Sequence, residues 1–333
     1  MNRRSFQLLA ALAAGLLLLL FFVERTGRDA PAAVGTVLLP DLAGRVADIE
    51  EIAIDSAADA GDLSIERREG AWVVTTRDDY PADFGTLRNL VDALATARIV
   101  EVATSDPQKH SRLGVDEPSA AGGGTRVSLR GNDLDLAVVI GNAAQGGYRY
   151  VRLGNEPQSY LVDTDPGLPV NTAGWLAREI VDIDSARIRR IEIVHADGET
   201  IVIERDGDEF AVANVPEGRE LSYPSVGNGI ARALEGLSLD DVRADADAPI
   251  GTTASFETED GLVITARVAT LDERDWIAFA ASAETADGAA AEAEADSING
   301  RVADWWYELP ASKAELFVRR WEDLLAEDQD AGE

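Results

Sequence analysis

Ile49-Glu50-Glu51-Ile52-Ala53-Ile54 returns 139 residues later as Ile188-Arg189-Arg190-Ile191-Glu192-Ile193. Large apolar and polar residues alternate in both stretches, which is the pattern of a strand with one buried face. The correspondence continues outward. Leu63-Ser64-Ile65-Glu66-Arg67 is matched by Ile201-Val202-Ile203-Glu204-Arg205, and Trp72-Val73-Val74 by Phe210-Ala211-Val212, both at an offset of 138. Glu69-Gly70 and Asp206-Gly207 stand where each hairpin needs a tight turn, and glycine supplies the positive φ such turns demand. Asp197-Gly198 marks a further turn.

After each hairpin the spacing predicts a helix. In the first copy Asp83 caps it, and Phe84, Leu87, Leu90, Val91 and Leu94 form its apolar face. In the second, Ile230, Ala233, Leu234 and Leu237 form a weaker face. Strands then resume. Val127, Leu129, Leu134, Leu136, Val138 and Ile140 alternate around Arg130-Gly131-Asn132, followed by Tyr148, Tyr150, Tyr160 and Val162. Val263, Thr265, Trp276, Ala278 and Trp306 hold the corresponding stretch of the second copy. Each copy is expected to close with a helix, at Trp175–Ile180 and at Ala314–Leu325. Residues 281–299, rich in Ala, Glu and Asp, show no strand alternation and read as a mobile inserted loop.

The expected fold is therefore α+β: an N-terminal transmembrane helix, then two tandem antiparallel-sheet units, each with packed helices. The boundaries are 1–30 for the anchor and its flanks, 31–44 for a linker, 45–185 and 186–326 for the two units, and 327–333 for an acidic tail. The anchor is the apolar run Phe6–Val23, with Phe6, Leu8, Leu16, Leu20 and Val23 along it and no charged residue within. Eighteen residues of helix reach roughly 27 Å, about a hydrocarbon core. Arg3 and Arg4 precede it, and flanking positive charge stays cytoplasmic. The expectation is a single-pass protein of the inner membrane with the bulk of its chain extracytoplasmic, touching the bilayer through residues 6–23. Ala30-Pro31-Ala32 resembles a signal-peptide cleavage site, but charged residues 24–29 separate it from the apolar run.

Composition narrows the function. With 61 acidic against 30 basic Lys and Arg residues, the net charge is −31. Nucleic acid is thereby disfavoured as a partner, since phosphate attraction needs a basic face. No cysteine is present, so disulfides, thiolate metal sites and cysteine nucleophiles are excluded. His110 and His195 are too widely separated to suggest a clustered metal site or a catalytic triad. Asp240, Asp241, Asp245 and Asp247 form the densest acidic cluster, but Arg243 and Ala246 break the calcium-loop pattern begun at Asp241. Gly122-Gly123-Gly124 lacks the lysine of a phosphate loop. Trp305-Trp306-Tyr307 reads as core anchors or as an exposed ligand platform. The residues point to no catalytic group, cofactor or metal.

Several short motifs, in order, carry a family resemblance. They are the hairpin ending in Gly70-Ala71-Trp72-Val73-Val74, Tyr80-Pro81-Ala82-Asp83, Leu113-Gly114-Val115-Asp116-Glu117-Pro118, Val139-Ile140-Gly141, Gly147-Tyr148-Arg149-Tyr150-Val151-Arg152 and Trp175-Leu176. The chain resembles the bacterial domain of unknown function 4340, well over residues 45–185 and as a degenerate echo beyond. The second copy has Phe210 in place of Trp72, and Tyr223-Pro224-Ser225 lacks the following aspartate. The resemblance implies a membrane-tethered extracytoplasmic protein without an assigned catalytic residue. It also implies an accessory role beside an ABC-type permease and ATPase of the gliding-motility auxiliary kind. Tyr80, Asp83, Tyr148, Arg149, Tyr150 and Arg152 are the candidate partner-binding residues. The alternatives are an envelope hydrolase using paired carboxylates and a cell-envelope polymer-binding module.

Overall fold

The computed structural model describes residues 33–56, 62–118, 123–154, 156–245, 247–284 and 289–326. The expected anchor, residues 6–23, lies outside them. Among the described residues no helix is long and apolar enough to cross a membrane.

In chain order the first elements are β1 (Ile49–Asp55), β2 (Leu63–Arg68), β3 (Ala71–Val74), β4 (Tyr80–Pro81), α1 (Phe84–Thr96), β5 (Ile99–Val102) and α2 (His110–Leu113). Next come β6 (Thr125–Gly131), β7 (Leu134–Ala144), β8 (Tyr148–Leu153) and β9 (Ser159–Val162). The chain continues with β10 (Glu179–Val181), β11 (Ile188–His195), β12 (Thr200–Asp206), β13 (Glu209–Val212), α3 (Val226–Ala231), β14 (Leu237–Ser238) and β15 (Asp241–Arg243). It ends with β16 (Ile250–Thr258), β17 (Leu262–Leu271), β18 (Arg274–Ala283), α4 (Ala289–Val302), β19 (Trp306–Glu308), α5 (Ala311–Ala314) and α6 (Trp321–Leu324). The class is mixed α+β, and the strand pairs within the sheets are antiparallel.

Two compact units form. One joins the described residues before 58 to residues 88–168; the other joins 58–87 to the described residues from 169 on. In the first unit the strands run β1-β6-β7-β8-β9-β5, all antiparallel neighbours. Burial alternates in β1, but β6 and β7 each bury three successive residues and β9 buries all four. Ile52, Ile54, Val127, Leu129, Val138, Ile140, Val151 and Val162 are buried, with polar neighbours between most of them. Helix α1 buries the face expected of it, Leu87, Leu90, Val91 and Leu94, but Phe84 at its start is exposed.

In the second unit β2, β3 and β4 form a meander. The β2–β3 turn is Glu69-Gly70, both at positive φ (52° and 89°), the backbone that a two-residue hairpin with right-handed strand twist requires. The larger sheet of this unit runs β13-β12-β11-β16-β17-β18-β19-β15. From β11 onward that order is β1-β6-β7-β8-β9-β5 again, strand for strand, and hairpin β12–β13 repeats β2–β3. The irregularities repeat too. The β1–β6 register shifts between Ile49 and Glu51, and the β11–β16 register between Ile188 and Arg190. Beside each shift lies an ion pair of opposite polarity: Glu51 with Arg130 at 2.6 Å, and Arg190 with Glu257 at 3.7 Å.

Four sequence expectations need correction. The described residues of 281–299 are not one loop: Ala281 belongs to β18, and residues 289–302 form α4. Alanine is the best helix former, and Ala291, Ala295, Ile298 and Val302 recur at helical spacing on a buried face. Asn299 ties that helix to β18, donating to the Ala281 carbonyl and accepting its N–H, both at 2.8 Å. Trp175–Ile180 is not a helix either. A 3-10 turn over Thr172–Trp175 gives way to extended chain and β10. Leu237 lies on a strand, not on the helical face assigned to it, although Ile230, Ala233, Leu234 and Leu237 are all buried. The closing helix is divided into α5, a 3-10 turn at Glu315–Phe317, and α6.

Candidate functional site

In the first unit the scattered motifs converge on one arginine. Strand β8 carries Tyr148, Arg149, Tyr150 and Arg152. Arg152 is only 6 % exposed, and a buried guanidinium is tolerated only when its donors are satisfied. Its Nε donates to the Val115 carbonyl at 2.8 Å, and Nη1 donates to the Gly154 and Glu156 carbonyls at 2.5 and 3.2 Å. Nη2 donates to Glu117 Oε1 at 2.6 Å, and Arg126 holds the same carboxylate at 3.0 Å. Burial alone would raise the Glu117 pKa; the hydrogen bonds from Arg152 and then Arg126 outweigh it, and the pKa falls below the usual glutamate value.

The segment that Arg152 grips is shaped by glycine. Gly114, at φ 67°, ends α2, and the N–H of Val115 returns to the His110 carbonyl, the left-handed exit typical of helix C-termini. Gly141 on β7 comes so close that a Cβ there would stand 2.4 Å from the Leu113 carbonyl oxygen. Buried His110 bonds the Pro157 carbonyl through Nε2 at 2.9 Å, with Nδ1 3.9 Å from Asp116. Three separated motifs, around 113–118, 139–141 and 147–152, thus form one latch. Arg149 pairs with Asp165 and also donates to the Gly141 carbonyl of the latch at 3.0 Å. Tyr148 and Tyr150 are half-buried along the same strand.

Tyr80 and Asp83 belong to the second unit, where they form a different junction. The Tyr80 hydroxyl donates to the Ala177 carbonyl, Ala177 N–H to Pro81, and Asp83 N–H to Trp175, each at 2.9 Å. Asp83 also caps α1, accepting from the Thr86 N–H at 2.6 Å. The Tyr80 ring meets Trp305 edge-on at 4.9 Å and Tyr307 at 6.2 Å. Burial pushes the Tyr80 hydroxyl pKa up to about 12 and raises that of Tyr307 further. Tyr307 is fully buried and Trp305 and Trp306 half-buried, so this triplet serves largely as core.

Among the described residues no three His, Asp or Glu groups are arranged to hold a metal. The carboxylates with displaced pKa values, Asp106, Glu117, Asp165, Asp197 and Asp260, all move down; a general acid at neutral pH needs the opposite. His195 ends β11, buried between Thr252 Oγ1 and the Arg319 carbonyl, each at 2.9 Å. One feature escaped the sequence reading: an open cleft of about 530 Å³ in the second unit, lined by Arg189, Arg190, Arg205, Glu204, Glu257, Glu259 and Gly207. Its signal was the charged pairs Arg189-Arg190 and Glu204-Arg205 at the polar positions of neighbouring strands. Arg190 pairs with Glu204 at 2.8 Å and Arg189 with Glu257 at 3.1 Å, so its charges compensate one another.

The sequence model of the domain of unknown function DUF4340 matches residues 72–255, more than half of the chain. The chain belongs to this family. The DUF4340 match starts at Trp72 on β3, takes in Tyr80, Asp83 and the Arg152 latch, and ends on β16. It therefore extends beyond residue 185, where the sequence resemblance had faded. No curated protein and no solved structure gives a significant match.

Proposed function

We propose that this DUF4340 protein is a non-enzymatic, membrane-tethered accessory or scaffold protein of an ABC-type transport system. Residues 6–23 cross the inner membrane once, and the chain beyond works in the periplasm as a tandem duplication, 45–185 and 186–326. The observation that carries the non-enzymatic reading is the employment of the family's motif residues. Arg152 ties up backbone carbonyls and Glu117, Tyr80 bonds the Ala177 carbonyl, Asp83 caps α1, and Gly141 makes room for the Leu113 carbonyl. The repeated strand order and the repeated register shift support the duplication. The uncharged run Phe6–Val23 behind Arg3 and Arg4 supports the tether.

Two measurements test this. A reporter fused to the carboxyl end is expected to be active only outside the cytoplasm; activity confined to the cytosol refutes the topology. Purification in mild detergent is expected to bring down a permease and its ATPase, and a monodisperse chain without them counts against the accessory role.

A further inference from the structure

Strands β5 and β15 are equivalent terminal strands. Val102 stands opposite Tyr160 on β9 as Val242 stands opposite Tyr307 on β19, and Glu101 and Asp241 precede them in the same register. Both tyrosines are fully buried. The second strand is covered from within its own unit: Arg77 Nε bonds Asp241 Oδ1 at 2.7 Å, and Asp78 Oδ2 accepts the Ala244 N–H at 3.0 Å. Val242 between these two contacts is 2 % exposed. The first strand has no such cover. Residues 35–38 reach only as far as Ile99, through Gly35 N–H to the Ile99 carbonyl and Ile99 N–H to Thr36. Beyond that point Val100, Glu101 and Val102 are exposed, Val102 at 37 %. Among the described residues Glu101 has no cationic partner.

We propose that the outer edge of β5, Val100–Val102, is a docking edge for an extended, arginine-bearing segment of a partner protein. The chain's own Arg77 shows the chemistry that fits: a guanidinium for the edge carboxylate. Exposed strand edges are templates for pairing with another chain, and alternate side chains on such an edge set specificity. Charge selects the occupant. At −31 the chain repels a second copy of itself and attracts a basic segment. This inference rests on the scaffold reading but not on the tether.

The probe is a labelled synthetic peptide of the chain's own residues 73–78, Val-Val-Thr-Thr-Arg-Asp, added to the full-length protein in detergent. Saturable binding is expected, weakened about tenfold by Glu101→Arg, the loss of one ion pair, and retained by Glu101→Asp. A photo-crosslinking residue at Val102 is expected to capture the peptide, and one at exposed Val194 is not. Both Glu101 and Val102 are exposed, so the substitutions leave the core alone. Equal binding by wild type and Glu101→Arg overturns the proposal, as does absence of saturable binding. So does a Glu101-dependent dimer in sedimentation, which would make the occupant a second copy. Peptide binding without a co-purifying permease refutes only the transport assignment; the reverse result refutes only the edge.

Discussion

Replacing Arg152 by methionine keeps most of the side chain's volume and removes every donor it supplies. Four hydrogen bonds disappear, three of them to the backbone oxygens of Val115, Gly154 and Glu156. Val115 is fully buried, so water cannot replace the guanidinium there; Glu156 is exposed, so at that carbonyl it can. An orphaned buried carbonyl costs about 1–3 kcal/mol, and loss of a charge-assisted bond such as that to Glu117 about 1.5–3 kcal/mol. The expected loss is about 3–5 kcal/mol, most of it from the orphaned buried carbonyls. For a unit of this size that lowers the melting temperature by roughly 10–15 °C. Hydrogen exchange should show the loss of protection beginning at residues 110–118, the segment Arg152 holds. Glu117→Gln is the control: Glu117 is half-exposed, so its cost should stay within about 1 kcal/mol. A methionine variant that melts within about 3 °C of wild type, with unchanged protection over 110–118, would falsify the latch.

Gly141→Ala attacks the same junction sterically, because the added Cβ meets the Leu113 carbonyl oxygen at 2.4 Å; a loss of about 1–3 kcal/mol in urea unfolding is expected. Asp83→Ala removes the cap of α1 and should cost about 1 kcal/mol, while Asp83→Asn should restore most of it. Tyr80 gives an alkaline signature. Its pKa is raised to about 12 in the folded protein from the ordinary tyrosine value of 10.0, so the unfolded chain ionises first. The stability it contributes is intact below about pH 10 and is lost as pH rises toward 12, at about 1.4 kcal/mol per pH unit. Tyr80→Phe should flatten that limb of the pH–stability curve, at the cost near neutrality of about 1 kcal/mol for the bond to Ala177. Glu117 works in the other direction. Its pKa is lowered when folded, so its stabilisation is present above the ordinary glutamate range and lost as pH falls through the depressed value; Glu117→Gln should soften acid unfolding.

Local pattern alone placed most of the strands, because a one-sided sheet imposes a period of two that any half-buried strand must display. Ile52, Ile54, Ile191 and Ile193 are buried as that period requires. It determined the glycine turns, since positive φ at Gly70 and Gly198 is a local property of the backbone. It also carried enough ordered motifs for the family. What it left open depended on partners far along the chain. Alanine and glutamate at 289–302 favour a helix, but its apolar face is thin, and only β18 supplies the surface against which Ala291 and Ala295 are buried. Trp175–Ile180 has helix-compatible residues, but its backbone groups find partners at Pro81, Asp83 and Tyr80, and extended pairing prevails. The same holds for Arg152. An arginine on a strand reads as a solvent-facing charge. Only the docking of residues 113–118, more than thirty positions earlier, buries it and satisfies it. Periodicity is short-range and written in composition; the satisfaction of a buried polar group is long-range, and only tertiary structure decides it.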